Sequence, residues 1–411
     1  MAGPLSHIRV LDLSRVLAGP WAGQTLADLG AEVIKVERPD GGDDTRSWGP
    51  PFLTDDSGQP TADAAYFLST NRGKKSVSID FTCPAGRELI CRLAERSDIL
   101  LENFKVGGLA KYGLDYASLK QVNSRLIYCS ITGFGQTGPY RERAGYDFLI
   151  QGMGGLMSVT GEPAGEPMKV GVAIIDVMTG MYASTSVLAA LAHRDRTGEG
   201  QHIDLSLLDV QVATLANQAM NYLVSGCVPQ RLGNAHPNIV PYQALATADG
   251  HIILTVGNDG QFRKLCSIAG CTELAEDPRF ASNATRVANR KVLIPLLEKA
   301  LKQRNSTEWV SLMEAAGVPC GPINNIAEVF ADPQVKSRQM RIELDHRNAG
   351  KVPLVGSPMK FSQTPVAYCQ APPTLGEHNA EILGQVLGLS EQQCLDLSAQ
   401  GIVGPGPSAT K

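Results

Sequence analysis

A chain of 411 residues with 43% hydrophobic and 19% charged side chains has the balance of a folded globular protein, which excludes a disordered one, and its length favours two domains. The formal charge of −4, from 37 basic and 41 acidic side chains, gives no general field for nucleic acid or an anionic membrane, so any anion must be held by a local cluster. Nine cysteines without a CxxC pair fit neither a disulfide framework nor a zinc site and read as reduced thiols of a cytoplasmic protein. The first residues, MAGPLSHIRVLDLS, lack the pattern of a secretory signal, and no apolar run reaches the ~20 residues of a membrane span.

Taken in chain order, IRVLDLS (8–14) reads as a strand, PWAGQTLADLG (20–30) as a helix with Pro20 at its start and Gly30 near its end, and AEVIKVER (31–38) as a second strand. KKSVSIDF (74–81), DILLENF (98–104) and RLIYCSITGF (125–134) continue the strands, with helical stretches at 84–97 and 116–123 between them. This rhythm predicts an α/β fold, a doubly wound, mostly parallel, Rossmann-like sheet. Its ligand loops would follow the strands, at Arg15–Pro20, Arg38–Arg46, Asn103–Gly108 and Gly133–Arg143. No GxGxxG follows the first strand, which disfavours a nicotinamide dehydrogenase.

From Tyr146 to about Asn221 the pattern is mostly helical, broken by the short strand HIDLSL (202–207), and the segment 210–224 reads as one long helix. A loop rich in Pro and Asn (227–243) then opens a smaller α/β domain with the strand GHIILTV (250–256). The division expected is a large domain over 1–225, a small one over 226–330, and a return segment, 331–411, that packs on the first and frays from Gly401 onward.

Asp176, in GVAIIDVMTGMYAS (171–184), is an acid between an apolar run and a helix of small residues. It can be a helix N-cap or a nucleophile, and the small residues around it leave room for a ligand to approach. Helix-end N–H groups there suit a developing oxyanion. The cations Arg15, Arg38, Arg46, Lys74, Lys75, Lys105, Lys111, Arg141 and Arg143 are each ordinary surface charges taken singly, but together they gather at one end of the sheet, where a nucleotide's phosphates lie. His236, in GNAHPN, is either a loop histidine or an acid, base or carboxylate donor.

The series LDLSRVLAGPWAGQTLADLGAEVIKVERPDGGDDTRSWGP (11–50), NRGKKSVSIDF, ENFKVGGLAKYGL, SITGFGQTGPYRERAGYDFLIQGMGGLMSVTG, the Asp176 segment, TGEGQHIDLSLLD, VPCGPINN and LGEH resembles the class III CoA-transferases, in order and over nearly the whole chain. GDDTRSWGPPF, AHPNIVPYQA and GVPCGPINN are most similar to the branch that acts on succinyl-CoA and glutarate. The resemblance implies that Asp176 is the nucleophile, that Leu17, Ala18, Arg38, Ile79, Asn103, Phe104 and Lys111 lie along CoA, and that Tyr146 and Asp147 face the acyl pocket. The family often has basic residues where Thr82 and Ala144 stand, leaving Lys74, Lys75 or Arg143 to contact the diphosphate. Arg15, Arg46, Arg231 and His236 are the candidates for holding the far carboxylate of a diacid. The resemblance further implies an interlocked homodimer, transfer through an aspartyl mixed anhydride and an aspartyl-CoA thioester, and CoA as co-substrate with no metal or other cofactor. Two rivals are an α-methylacyl-CoA racemase of the same fold and a non-catalytic acyl-CoA-binding protein.

Overall fold

Six chain segments in the first half obey the parallel-strand pattern, and a computed structural model, describing residues 3–55 and 57–406, places them in one sheet. They are β1 (Arg9–Asp12), followed by helix α1 (Ala18–Asp28); β2 (Glu32–Glu37); β3 (Lys74–Ser78), followed by α2 (Pro84–Glu95); β4 (Ile99–Glu102), followed by α3 (Tyr116–Val122); β5 (Ile127–Thr132), followed by α4 (Asp147–Met153) and α5 (Ile174–Thr197); and β6 (His202–Ser206). The strand order is β3-β2-β1-β4-β5-β6, every pairing is parallel, and the order reverses between β1 and β4. Such a reversal opens a crevice at the carboxyl ends of the two strands that part there.

The central strands are covered on both faces: neighbouring Val10 and Leu11, or Val33 and Ile34, are all buried. On one face Leu89, Ile90 and Leu93 of α2 and Leu119 of α3 pack on Leu11, Ile34, Val77 and Leu100. The other face carries α1 and α5, which lie along each other. They approach closely at Gly180, where an added Cβ would lie 2.7 Å from the Ala18 carbonyl oxygen. By length and composition α5 is long and apolar enough to cross a membrane, but half of its most apolar stretch is buried inside the fold.

The chain divides into two compact units, the first taking residues 3–155, Val170–Ala219 and 334–406, the second Leu156–Lys169 and Met220–Pro333. Residues 156–169, counted with the large domain from the sequence, belong with the second unit: Arg231 donates to the carbonyls of Glu162 and Gly165, and Gly233 N–H to Gly161. The segment read as one helix over 210–224 breaks into Leu207–Thr214 and Ala216–Ser225, with Ala216 at φ 45°. The second unit surrounds Leu254, Phe262, Leu297 and Trp309 with three antiparallel strands, Tyr242–Ala246, His251–Thr255 and Cys320–Gly321, and their helices.

The last stretch packs on the first unit through Ile382, Leu383 and Val403, and Ser78 N–H donates to Asn379. Fraying does not begin at Gly401: Ile402 and Val403 are buried and the Ile402 carbonyl accepts the Asp80 N–H, while residues 407–411 lie outside those described.

Candidate active site

The loops after β1 and β4 part at the strand reversal and are tied across it: Asn103 Oδ1 accepts the Arg15 N–H at 2.9 Å and Asn103 Nδ2 donates to the Arg15 carbonyl at 2.6 Å. Val16 sits at φ 72°, a conformation costly for a β-branched residue. Buried charges hold it there. Asp43 Oδ1 accepts from Val16 and Thr45, Oδ2 pairs with Lys35 at 2.8 Å, and Lys35 also donates to the Ser14 carbonyl. The consequence is that α1 begins at the cleft with Leu17 in the N-cap position and no side chain bonded to its first N–H groups. Free helix-end N–H groups favour negative charge.

The cleft so formed encloses about 490 Å³ and is lined by Arg15 to Ala18, Asn103 to Val106, Lys111, Arg141, Arg143 to Tyr146 and Asp176, among others. A second cavity of about 170 Å³ lies between Arg38, Ile79 and Phe104, and the two share Arg15, Phe81, Thr82 and Phe104 as walls. The structure therefore brings together Leu17, Ala18, Asn103, Phe104, Lys111, Arg143, Arg15, Tyr146 and Asp176 in one cleft and Arg38 and Ile79 beside it. Arg38 is half exposed and paired with Asp44 at 3.0 Å; the Arg143 guanidinium lies 4.0 Å from the centre of the Tyr140 ring.

Asp176 is not a cap. It occupies the first turn of α5, where Ala173 is the N-cap residue, and its carboxylate accepts no hydrogen bond among the described residues. Burial, and then the nearby charge of Asp147, push it up to about 7. A carboxylate with so little solvation is a strong nucleophile once ionised. Tyr66 was not singled out from the sequence. Its phenol is pushed up to about 12 by burial and by the charges of Asp176, Asp147 and Asp43, and its ring stands edge-on to Trp48. No spacing signal links Tyr66 to Asp176, because their proximity is purely tertiary.

Several expected site residues have other employment. Arg46 is buried, its guanidinium shared among Glu37, Asp63 and the Pro373 carbonyl, and it does not line the cleft. Lys74 and Lys75 open β3 rather than follow it. Lys74 is buried against Asp12, Asn71 and the Pro20 carbonyl, and Lys75 pairs with Glu32 and Glu381, so neither is free for a diphosphate. Asp147 is 7% exposed, does not line the cleft and accepts the N–H of Ile175 at 2.7 Å. Arg231 and His236 belong to the second unit, where Arg231 holds the 162–165 turn and His236 Nδ1 accepts the Asn238 N–H at 3.0 Å.

A parallel α/β sheet with an unpaired acid in its switch-point cleft is the setting in which the sequence relationships take on meaning. The chain belongs to CoA-transferase family III, whose sequence profile matches residues 5–379. It is 55% identical over 383 residues to the succinate–glutarate CoA-transferase of Agrobacterium fabrum, covering 93% of this chain and 96% of that one. It is 43% identical over 400 residues to the succinyl-CoA:glutarate CoA-transferase of Homo sapiens, covering 97% and 90%. A crystal structure of a CAIB/BAIF family protein from Brucella suis superposes with a TM-score of 0.83 at 54% identity, over 94% of this chain and 100% of that one.

Proposed function

We propose that this CoA-transferase moves CoA from succinyl-CoA to glutarate, with Asp176 as its nucleophile. The carrying observation is the Asp176 carboxylate itself, buried and without a hydrogen bond among the described residues, on the wall of a cleft that also takes in the uncapped start of α1. The names of the Agrobacterium fabrum and human relatives support the substrate pair.

In this reading an Asp176 oxygen attacks the thioester carbon of succinyl-CoA, the C–S bond breaks, and CoA leaves as thiolate from a mixed anhydride. The thiolate attacks the Asp176 carbonyl carbon, releasing succinate and leaving an aspartyl-CoA thioester. Glutarate attacks that thioester, and the returning thiolate takes the glutaryl group and restores the Asp176 carboxylate. The N–H groups opening α1 hold the oxyanion of each tetrahedral stage. CoA extends past Leu17, Ala18 and Asn103, with its adenine between Ile79 and Phe104 and its phosphates near Arg38, Lys111 and Arg143.

Arg15 is the residue we assign to the far carboxylate of the diacid. It shares the cleft with Asp176, and its Nε is buried without a partner among the described residues. An unpaired donor of that kind favours a ligand that satisfies it. We further propose a cytoplasmic homodimer. Its support is the apolar surface of α4 and beyond, where Tyr146, Phe148, Leu149 and Val172 are all exposed, together with nine free cysteines.

The test is label exchange. Isotopically labelled glutarate should enter glutaryl-CoA only when succinyl-CoA is supplied, and mass spectrometry of the enzyme with succinyl-CoA alone should find an adduct on the peptide carrying Asp176. A racemase would scramble no label between free acid and thioester, and a mere binding protein would form no adduct.

A further inference from the structure

We infer that Asp147 is the positioning residue of this active site: from α4 it fixes the amino end of α5 and places a second, unpaired negative charge beside Asp176. The inference rests on Asp176 being the nucleophile. The motif placed Asp147 toward the acyl pocket, but its atoms are spent elsewhere. Oδ2 accepts the N–H of Ile175 at 2.7 Å and, more weakly, of Asp176 at 3.4 Å, while Oδ1 accepts from Gln151 Nε2 at 2.6 Å. Gln151, fully buried, in turn accepts the Val170 N–H on its Oε1 at 2.9 Å. One short polar chain therefore anchors the segment from Val170 to Asp176 at both ends, on the far side of the 156–169 excursion.

The helix has no cap of its own, since Ala173 offers no side-chain acceptor, so Asp147 supplies from another helix what Ser, Thr or Asp usually supplies in sequence. A serine at 173 would cap equally well without bringing a charge. The charge is what distinguishes this arrangement: among the described residues no Lys or Arg pairs with Asp147, although it is 7% exposed. Two carboxylates thus share one buried corner, and Asp176 bears the repulsion. Forming the mixed anhydride ends that repulsion, because the new O–C bond neutralises Asp176 and the electron pair leaves on the CoA sulfur. Asp147 in this way raises the ionised ground state relative to the covalent intermediate. The other ionisable groups around Asp176 are Tyr66 and, on the cleft lining, Asp44, Tyr112, Tyr146 and the cations Arg15, Lys105, Lys111, Arg141 and Arg143, all retained in the Asp147 variants.

Asp147→Asn keeps an oxygen that can accept the Ile175 N–H and removes the charge. Activity rises with pH as Asp176 ionises, so the acid limb of kcat/KM is the readout, with adduct yield on the Asp176 peptide measured in the same samples. The expected result is an acid limb moved down by about one pH unit or more, a slower plateau because the carboxylate is less basic, and an unchanged dissociation constant for free CoA. An unmoved limb and plateau with the adduct still forming would overturn the role of Asp147 while leaving the nucleophile in place. Absence of the adduct from the wild-type enzyme would instead remove the nucleophile, and this inference with it. If the Asn variant does not fold, Asp147→Ser, which retains a hydroxyl acceptor without a charge, is read by the same two measurements and the same criteria.

Discussion

Asp43 and Asp176 are both shut away from water in the same unit, yet Asp43 is held down to about 2 and Asp176 is pushed up to about 7. Burial works to raise both. At Asp43 it is overcome by Lys35, whose ammonium sits 2.8 Å away, and by hydrogen bonds from Thr45. At Asp176 there is no cation to overcome it, and Asp147 adds to it. The region around Asp43 continues the same way: Asp12 meets Lys74 at 2.9 Å, and Glu37 and Asp63 share Arg46. The protein thus supports a strained loop with paired charges and leaves the one acid that must react unpaired. The cation beside Asp43 keeps that carboxylate structural; the lack of one beside Asp176 leaves it free to react.

The sharpest way to break this contrast is to remove the unpaired acid. Asp176→Ala should abolish adduct formation and lower kcat by about 10³-fold or more, measured by label exchange, while CoA binding survives because the cleft's cations remain. Removing a shared cation on the paired side should act on folding instead. Arg46→Ala leaves Glu37 and Asp63 buried with no guanidinium between them, and urea titration should show a loss of about 3–5 kcal/mol. A variant as stable as wild type would mean that the network carries no structural weight.

Between the two regions stands Arg15, paired with Asp44 on one side and lining the cleft with Asp176 on the other. Arg15→Gln should raise the KM for glutarate by roughly 10- to 100-fold, as expected for a lost charged hydrogen bond, and leave the affinity for free CoA, which carries no carboxylate, unchanged. A matching loss of affinity for free CoA would place Arg15 in the scaffold.

The smallest effect expected is on stability with pH. A folded value above the unfolded one means that the native state binds the extra proton, so Asp176 costs stability as pH rises from about 4 to about 7 and the cost is complete above that. Asp176→Asn should therefore be more stable than wild type at pH 8, on the order of 1–3 kcal/mol, and the advantage should fade by pH 4. Asp43 runs the other way: its contribution is present above about 4 and is lost as pH falls toward 2. A thermal midpoint for Asp176→Asn that exceeded wild type equally at pH 8 and pH 4 would point to packing rather than charge.

Local pattern was enough to locate the strands along the chain. Apolar runs of four to seven residues, Pro20 and Gly30 near helix boundaries, and the alternation of strand with helix are short-range properties, and they locate the loops that end the strands because a chain leaving a parallel strand must turn at its carboxyl end. Family motifs likewise marked Asp176 and the residues beside it. What each charge does depended on partners far along the chain. Lys74 reads from sequence as a loop-edge cation, but Asp12 lies 62 residues away and takes it into the core; Asp147 reads as a pocket residue, but the N–H groups it must satisfy are 28 and 29 residues further on. Arg46 disappears into Glu37 and Asp63 for the same reason. Periodicity reports which face a side chain is on, whereas a buried charge is decided by which opposite charge or hydrogen-bond donor the tertiary fold brings within about 3 Å, and that distance is not written in the spacing of residues.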